Sequence, residues 1–394
     1  MNLRRMAACL GVGLAMATAG EAQVRVERLG DGPLIGPDLH SSIGQNIQGP
    51  SLIRVPEWVE GRLGEYYLYF ADHKGLYIRL AYADAPEGPW TVHPPGSLQI
   101  ADSHFLIEPP EVTPDELERL RESRGVLGGA AISHDLLTEV TTPHIASPDV
   151  HVDEANRRII MYFHGLDGVS RQVTRAATSS DGIAFEALPE SLGRTYMRVF
   201  SYDGYTYAMS MPGQFYRSRQ PLTGFEGGPR LFNSNMRHAA LLRRGDLLYV
   251  FWTEVGEVPE HVKLSTIDLR GDWMGWSESE AVELLRPEYP WEGSDAPLEP
   301  SVRSTAYGHV NQLRDPAIFE ESGRVYLLYA VAGESGIALA EVFIDYVGLP
   351  PTDPLRAGRC SGVHVRRSPH CRSAPDDEHQ RGCCLRPSRR RRFR

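Results

Sequence analysis

Two short stretches place a carboxylate next to a proline at the start of an apolar strand. They are Ser147-Pro148-Asp149-Val150 and Arg314-Asp315-Pro316-Ala317. Comparable strand starts carry His238 before Ala239-Ala240-Leu241, Arg198 before Val199-Phe200, and Asn46 and Gln48 before Gly49-Pro50. Two carboxylates, a histidine and arginines gathered in one place suit acid–base cleavage of a polar bond. Glycosidic cleavage needs a carboxyl pair about 6.5–9.5 Å apart for inversion or about 5–5.5 Å apart for retention. One member must hold its proton near neutrality, through burial or a neighbouring charge. Glu254, after Phe251-Trp252-Thr253, is the first candidate for the proton donor and Glu299 the second. Further polar residues end the aromatic strands. Asp72-His73 follows Phe70-Ala71, and His164 follows Tyr162-Phe163, so two histidines fall at one repeat position. These, with Arg198, Glu299 and a stacking Trp291, are the expected substrate contacts. Each has a structural alternative: an Asp beside a proline caps backbone, Asp72-His73 makes a hairpin turn, and a tryptophan fills core.

The elements that must position these groups recur five times. Each unit opens with a turn-like strand start, continues into an aromatic strand, and ends in a third strand. The middle strands read Tyr66–Phe70, Ile159–Phe163, Tyr205–Met209, Leu247–Trp252 and Val325–Tyr329. Such meanders cannot bury both faces alone, so they stack radially as propeller blades, with the first strand of each lining a central channel. The fold expected is an all-β, five-bladed β-propeller over 23–345. A helical insertion is expected at 91–142, with Thr113 as N-cap and Leu117 and Leu120 as its apolar stripe. A second long connection, 277–313, is rich in Pro and aromatics.

The bulk numbers fit a large globular body: 394 residues, 41% hydrophobic and 23% charged. Residues 1–22 read as a signal peptide, with Arg4-Arg5, an apolar run and Gly20-Glu21-Ala22, which implies a periplasmic or secreted protein with no membrane association after cleavage. Residues 346–394 form a basic, Cys/Arg-rich tail, read as disordered because its composition cannot build a core. It holds twelve Arg against four acidic residues, a net of +8, leaving −18 for the rest of a chain whose net is −10. An acidic body argues against nucleic acid as a partner. The body has no cysteine, since all five lie at 9, 360, 371, 383 and 384. No P-loop, dinucleotide-binding turn or Gly-x-Ser-x-Gly elbow occurs. No cofactor or metal is expected. The channel leaves room for a cation held by His238 and waters, but no ligand spacing supports one.

The blade openings at 147–150 and 314–317, with Ser180-Asp181-Gly182, resemble those of the five-bladed propeller glycoside hydrolases of the family 43, 62 and 117 type over about residues 45–345. The resemblance implies an oligosaccharide substrate of plant or algal origin and a carboxylate-based, inverting mechanism. In family 43 an Asp of the first blade acts as base, one of the second tunes pKa, and a Glu donates the proton. Only the second carries over, onto Asp149. Blade one departs from the pattern, with Gly49 where that family has Asp. The agaro-oligosaccharide branch implies a histidine acid, a role open to His238 or His73. The catalytic set expected is therefore Asp149 and Asp315, with Glu254 or His238 as acid. A levan- or sucrose-acting propeller is a variant within the enzyme class. The rival is a non-catalytic propeller that binds glycan or protein.

Overall fold

The structure, a computed structural model, describes residues 23–126 and 132–345. The expected signal segment and the basic tail lie outside those residues. Strand β1 (Gln23–Leu29) comes first. Blade one holds β2 (Gln48–Arg54), β3 (Tyr66–Ala71), β4 (Tyr77–Ala83) and β5 (Thr91–Gln99). Helices α1 (Pro114–Val126) and α2 (Leu136–Thr141) follow. Blade two holds β6 (Ile145–Asp153), β7 (Arg158–Gly168), β8 (Arg171–Ser179) and β9 (Glu186–Ala187). Blade three holds β10 (Arg198–Tyr202), β11 (Tyr205–Ser210), β12 (Gln214–Ser218) and β13 (Glu226–Arg230). Blade four holds β14 (Met236–Arg244), β15 (Leu247–Glu254), β16 (Val262–Asp268) and β17 (Val282–Leu285). Blade five holds β18 (Arg314–Glu321), β19 (Arg324–Ala330) and β20 (Ile337–Asp345).

The expected five-bladed propeller is what forms, with a fourth, outer strand on every blade. In the first four blades that strand is the next in sequence; in blade five it is β1, antiparallel to β20 from Gln23↔Asp345 to Leu29↔Leu339. Inner strand β18 packs against β2, so the ring closes through a strand from the other end of the chain. The expected insertion is shorter than read, because 91–99 is the outer strand of blade one. Pro94-Pro95-Gly96 looks like a loop, but a register break between Ile78 and Leu80 absorbs it. Likewise 282–285, read as connection, is the outer strand of blade four. Helix α1 has the cap expected, with the Glu116 N–H donating to Thr113 Oγ1 at 3.3 Å. No helix among the described residues is long and apolar enough to cross a membrane.

The middle strands carry unbroken apolar runs because both faces are covered. Each face meets the next blade, so the core consists of five apolar layers between neighbours. That between blades two and three is the smallest, built on Ile160, Tyr162, Leu192 and Met197.

Four inner strands break register at the same place: Gln48/Ser51, Ala146/Asp149, Arg237/Ala239 and Arg314/Ala317. Each break holds one residue with positive φ: Gly49 (+63°), Ser147 (+50°), His238 (+40°) and Asp315 (+48°). Tyr196 (+60°), just before β10, is the counterpart in blade three. A bulge of this kind re-aims one side chain. For the four that are not glycine it costs roughly 1–3 kcal/mol each, a strain that clusters at functional sites. Gly49 is required on space alone, since a Cβ there would stand 2.9 Å from Ser147 Cα.

Candidate axial site

The five bulge residues form a ring around the propeller axis. The Tyr196 and His238 rings lie 5.0 Å apart, and the Tyr196 hydroxyl donates to Asp315 Oδ1 at 3.0 Å. His238 Nδ1 lies 3.6 Å from that same oxygen. Next to Tyr196 is His164, with ring centroids 6.4 Å apart, and behind it His144 at 6.0 Å. Ser147 Oγ donates to Gln48 Oε1 at 3.3 Å.

Beside the ring lies a second carboxylate, Glu334, in the hairpin after β19. It is fully buried and accepts from Arg314 Nη1 at 2.8 Å and Asn46 Nδ2 at 2.8 Å. His73 Nδ1 stands 3.1 Å from its Oε1, and the His73 N–H donates to Asn46 Oδ1 at 2.8 Å. Arg79 Nη1 braces this from behind, donating to the Asn46 carbonyl at 2.6 Å.

The two carboxyls are driven apart. Burial pushes Asp315 up, and the nearby Glu334 charge adds to it, to about 7. Burial also works against the Glu334 charge, but His73, Arg314 and Asn46 outweigh it and hold Glu334 down to about 2. At neutral pH one carboxyl thus keeps much of its proton while the other is ionised, a division typical of acid–base catalytic pairs. Burial, then the cations Arg237 and Arg314, hold His238 well below the usual imidazole range, and burial with His144 and His73 does the same to His164. Both rings are therefore neutral. Asp315 Oδ2, His238 Nδ1 and His164 Nδ1 are buried without a partner among the described residues. Unpaired buried polar atoms cost about 1–3 kcal/mol each, and three of them lie around this one axis.

Asp315, His238, His73 and His164, expected from the sequence, come together here. Other expectations need correction. Asp149 is not a central carboxylate. It stands two residues past the bulge, where its Oδ2 accepts the Val199 N–H of the next blade at 2.8 Å and lies 2.8 Å from His151 Nε2. Ser51, two residues past Gly49, accepts the Val150 N–H at 2.8 Å in the same way. Asp149 therefore latches blade two to blade three. Aligning Asp149 with Asp315 was a two-residue misregistration: Ser147 is the true counterpart of Asp315. Arg198 is buried and donates to Pro148 O (2.6 Å), Ala239 O (2.9 Å) and Tyr196 Oη (3.1 Å), so it holds the ring together. Glu254 is held by Lys263 and by Asn233 Nδ2, and the Lys263 Nζ is shared with Glu257; it touches no ring residue. Asp72 closes its turn by accepting the Lys74 N–H at 2.9 Å. Trp291 stacks on Tyr289 and packs on the layer between blades four and five. Glu299 lines a cleft that ends on Arg314.

Glu334 and Tyr196 are what the sequence reading missed. Glu334 lies in the β19–β20 hairpin, as Asp72-His73 lies in the β3–β4 hairpin, but two residues further along, so the repeat does not mark it. Tyr196 lies one residue before the point where blade three was taken to start. Among the described residues no group of three or more His, Cys, Asp or Glu is arranged to hold a metal.

No family model matches the chain. It is 34% identical over 323 residues to the uncharacterized protein R118 of Acanthamoeba polyphaga mimivirus, covering 75% of this chain and 83% of that one. The chain belongs to the same family as that protein. Among solved structures it is similar to a thermostable family-43 glycoside hydrolase, at 10% identity and TM-score 0.46, covering 76% of this chain and 89% of that one. A β-xylosidase/α-arabinofuranosidase from a compost microbial metagenome, in complex with xylotriose, is similar at 11% and 0.46, covering 81% and 94%. An N-acetylgalactosamine deacetylase from F. plautii is similar at 9% and 0.44, covering 81% and 95%. Likeness at this level assigns neither an activity nor a residue role.

Proposed function

We propose that this protein is a glycosidase that hydrolyses O-glycosidic bonds of a plant or algal oligosaccharide at the axial ring. The observation that carries the reading is the pair Asp315 and Glu334, one carboxyl protonated near neutrality and one ionised beside the same strained ring. Asp315 donates its proton to the leaving oxygen as the glycosidic bond breaks. Glu334 stays ionised and stabilises the positive charge developing on the sugar ring. Water adds to the anomeric carbon with inversion. Once bonded to that carbon the water is strongly acidic, so even a weak base such as Glu334 can take its proton. Neutral His238 and His164 supply hydrogen-bonding nitrogens to sugar hydroxyls, and His73 holds Glu334 in place. Export follows the signal-like residues 1–22.

The test is product release from oligosaccharides by wild type and Asp315→Asn, with the first anomer read by proton NMR. Release by wild type that falls at least about 100-fold in the variant supports the reading, since general acids contribute about 10²–10⁴-fold. Equal rates in both proteins would overturn it. The non-catalytic glycan-binding reading is favoured by one feature: Gly49 leaves blade one without a functional side chain. It predicts binding of oligosaccharide with no product.

A further inference from the structure

A second cavity, of about 340 Å³, opens beside the axial site between the insertion and the connection from blade four to blade five. Its walls include Pro297, Pro300 and Tyr307, with Glu299 lining it, and it ends on Gln312 and Arg314. Arg314 is the residue before Asp315, and its guanidinium holds Glu334. The two loops are pinned together here. Ile132 bridges to Arg303, His134 Nε2 lies 3.2 Å from Thr305 Oγ1, and Ser304 Oγ donates to Glu139 at 2.7 Å.

Three observations say what the cleft would take. Tyr307 is 59% exposed, and its ring is set edge-on against His134 at 5.3 Å, so the cleft offers an apolar platform. Two buried polar atoms of lining residues have no partner among the described residues: Ser133 Oγ and Asn311 Oδ1. Asn311 is only 6% exposed, and its Nδ2 is already spent on the carbonyls of Ser294 and Ala296 at 3.3 Å each, so its free oxygen is a fixed acceptor. The basic lining groups are offset, Arg314 by Glu334 and His309 by Asp295 Oδ1 at 2.6 Å, and Glu299 adds a negative charge. An apolar platform and hydroxyl-sized polar partners in one cleft, with no spare cation, suit a neutral pyranose or furanose ring and disfavour uronates and sulfated sugars.

We infer that this cleft binds the neutral sugar on the leaving side of the bond cut at Asp315, which makes Tyr307 a specificity-determining residue. The inference rests on the glycosidase reading, and its test separates the two. Full-length wild type, Tyr307→Ala and Tyr307→Phe are assayed on xylobiose, arabinobiose and galactobiose, each against the fluoride of its own non-reducing sugar. The fluorides carry a one-atom leaving group and so bypass the cleft. The expected result is a fall of at least tenfold in the disaccharide-to-fluoride ratio of kcat/KM in Tyr307→Ala and of less than threefold in Tyr307→Phe, with thermal melting showing all three folded. An unchanged ratio in Tyr307→Ala would overturn the inference. If no probe is hydrolysed, the glycosidase reading fails and saturation-transfer NMR on the same disaccharides decides the cleft. Contact in wild type that is lost in Tyr307→Ala sustains it, and no contact with any of the three overturns it.

Discussion

Replacing Asp315 by Asn should reshape the dependence of stability on pH in a way the buried carboxyl dictates. The folded protein raises this group from 3.8 to about 7. Between those values the native state holds a proton that the unfolded chain has released, so stability falls as pH rises. The slope for one group is about 1.4 kcal/mol per pH unit, and three units give about 4 kcal/mol, with no discount for exposure because Asp315 is 1% exposed. Asn resembles the protonated acid in shape, tolerates positive φ, and cannot ionise. The variant should therefore gain on wild type as pH climbs from 4 to 8. At about 2 °C per kcal/mol for a domain of this size, the gap in melting temperature should shift by roughly 8 °C in favour of the variant. Glu334 titrates below this window and is present in both proteins, so it cancels. Calorimetry of both proteins at unit pH steps gives the answer. Parallel profiles across that range would show that Asp315 is ionised in the native state, and its role as proton donor would fall with them.

Other perturbations give separate readouts. Glu334→Gln strips Arg314 of its closest carboxylate and should cost about 3–5 kcal/mol by denaturant melting; by removing the neighbouring charge it should also move the basic limb of the pH–rate profile to lower pH. Asp149→Ala should cost about 2–3 kcal/mol, through the lost Val199 latch and the Arg198 pairing, while kcat of the folded protein stays within about threefold of wild type. A large kcat loss there would return Asp149 to the chemistry. Ser51→Ala, which breaks the equivalent latch to Val150, should cost about 1–2 kcal/mol in the same assay.

The fold was legible because a repeat sums weak signals. Five aromatic strands at similar intervals leave few arrangements that bury both faces, and the ring follows. What stayed hidden came from irregularity. The bulge inserts one residue into four of the inner strands, so Pro148 and Pro316 align while the carboxylates after and before them point to different places. The outer strand of blade one carries two prolines and that of blade four is only four residues long, so both read as loop. Glu334 looked like an ordinary turn residue, because nothing local shows that Arg314, twenty positions earlier, will be buried against it. Closure by β1 depends on pairing across more than three hundred residues, which no window of sequence contains. His238, Asp315 and His73 were found because they sit near strand ends, where the repeat fixes direction; His164 lies inside β7, which runs on to Gly168. Glu254 also sits at such an end, but Lys263 on the next strand draws it outward.

The most direct measurement is the rate at which wild type and Asp315→Asn release sugar from neutral oligosaccharides across pH 5–9. The account predicts activity in wild type that declines above about pH 7 as Asp315 loses its proton, and a loss of at least about 100-fold in the variant at pH 5–6 that narrows as wild type declines. Wild-type activity rising through pH 8, or a folded variant as active as wild type, would contradict it.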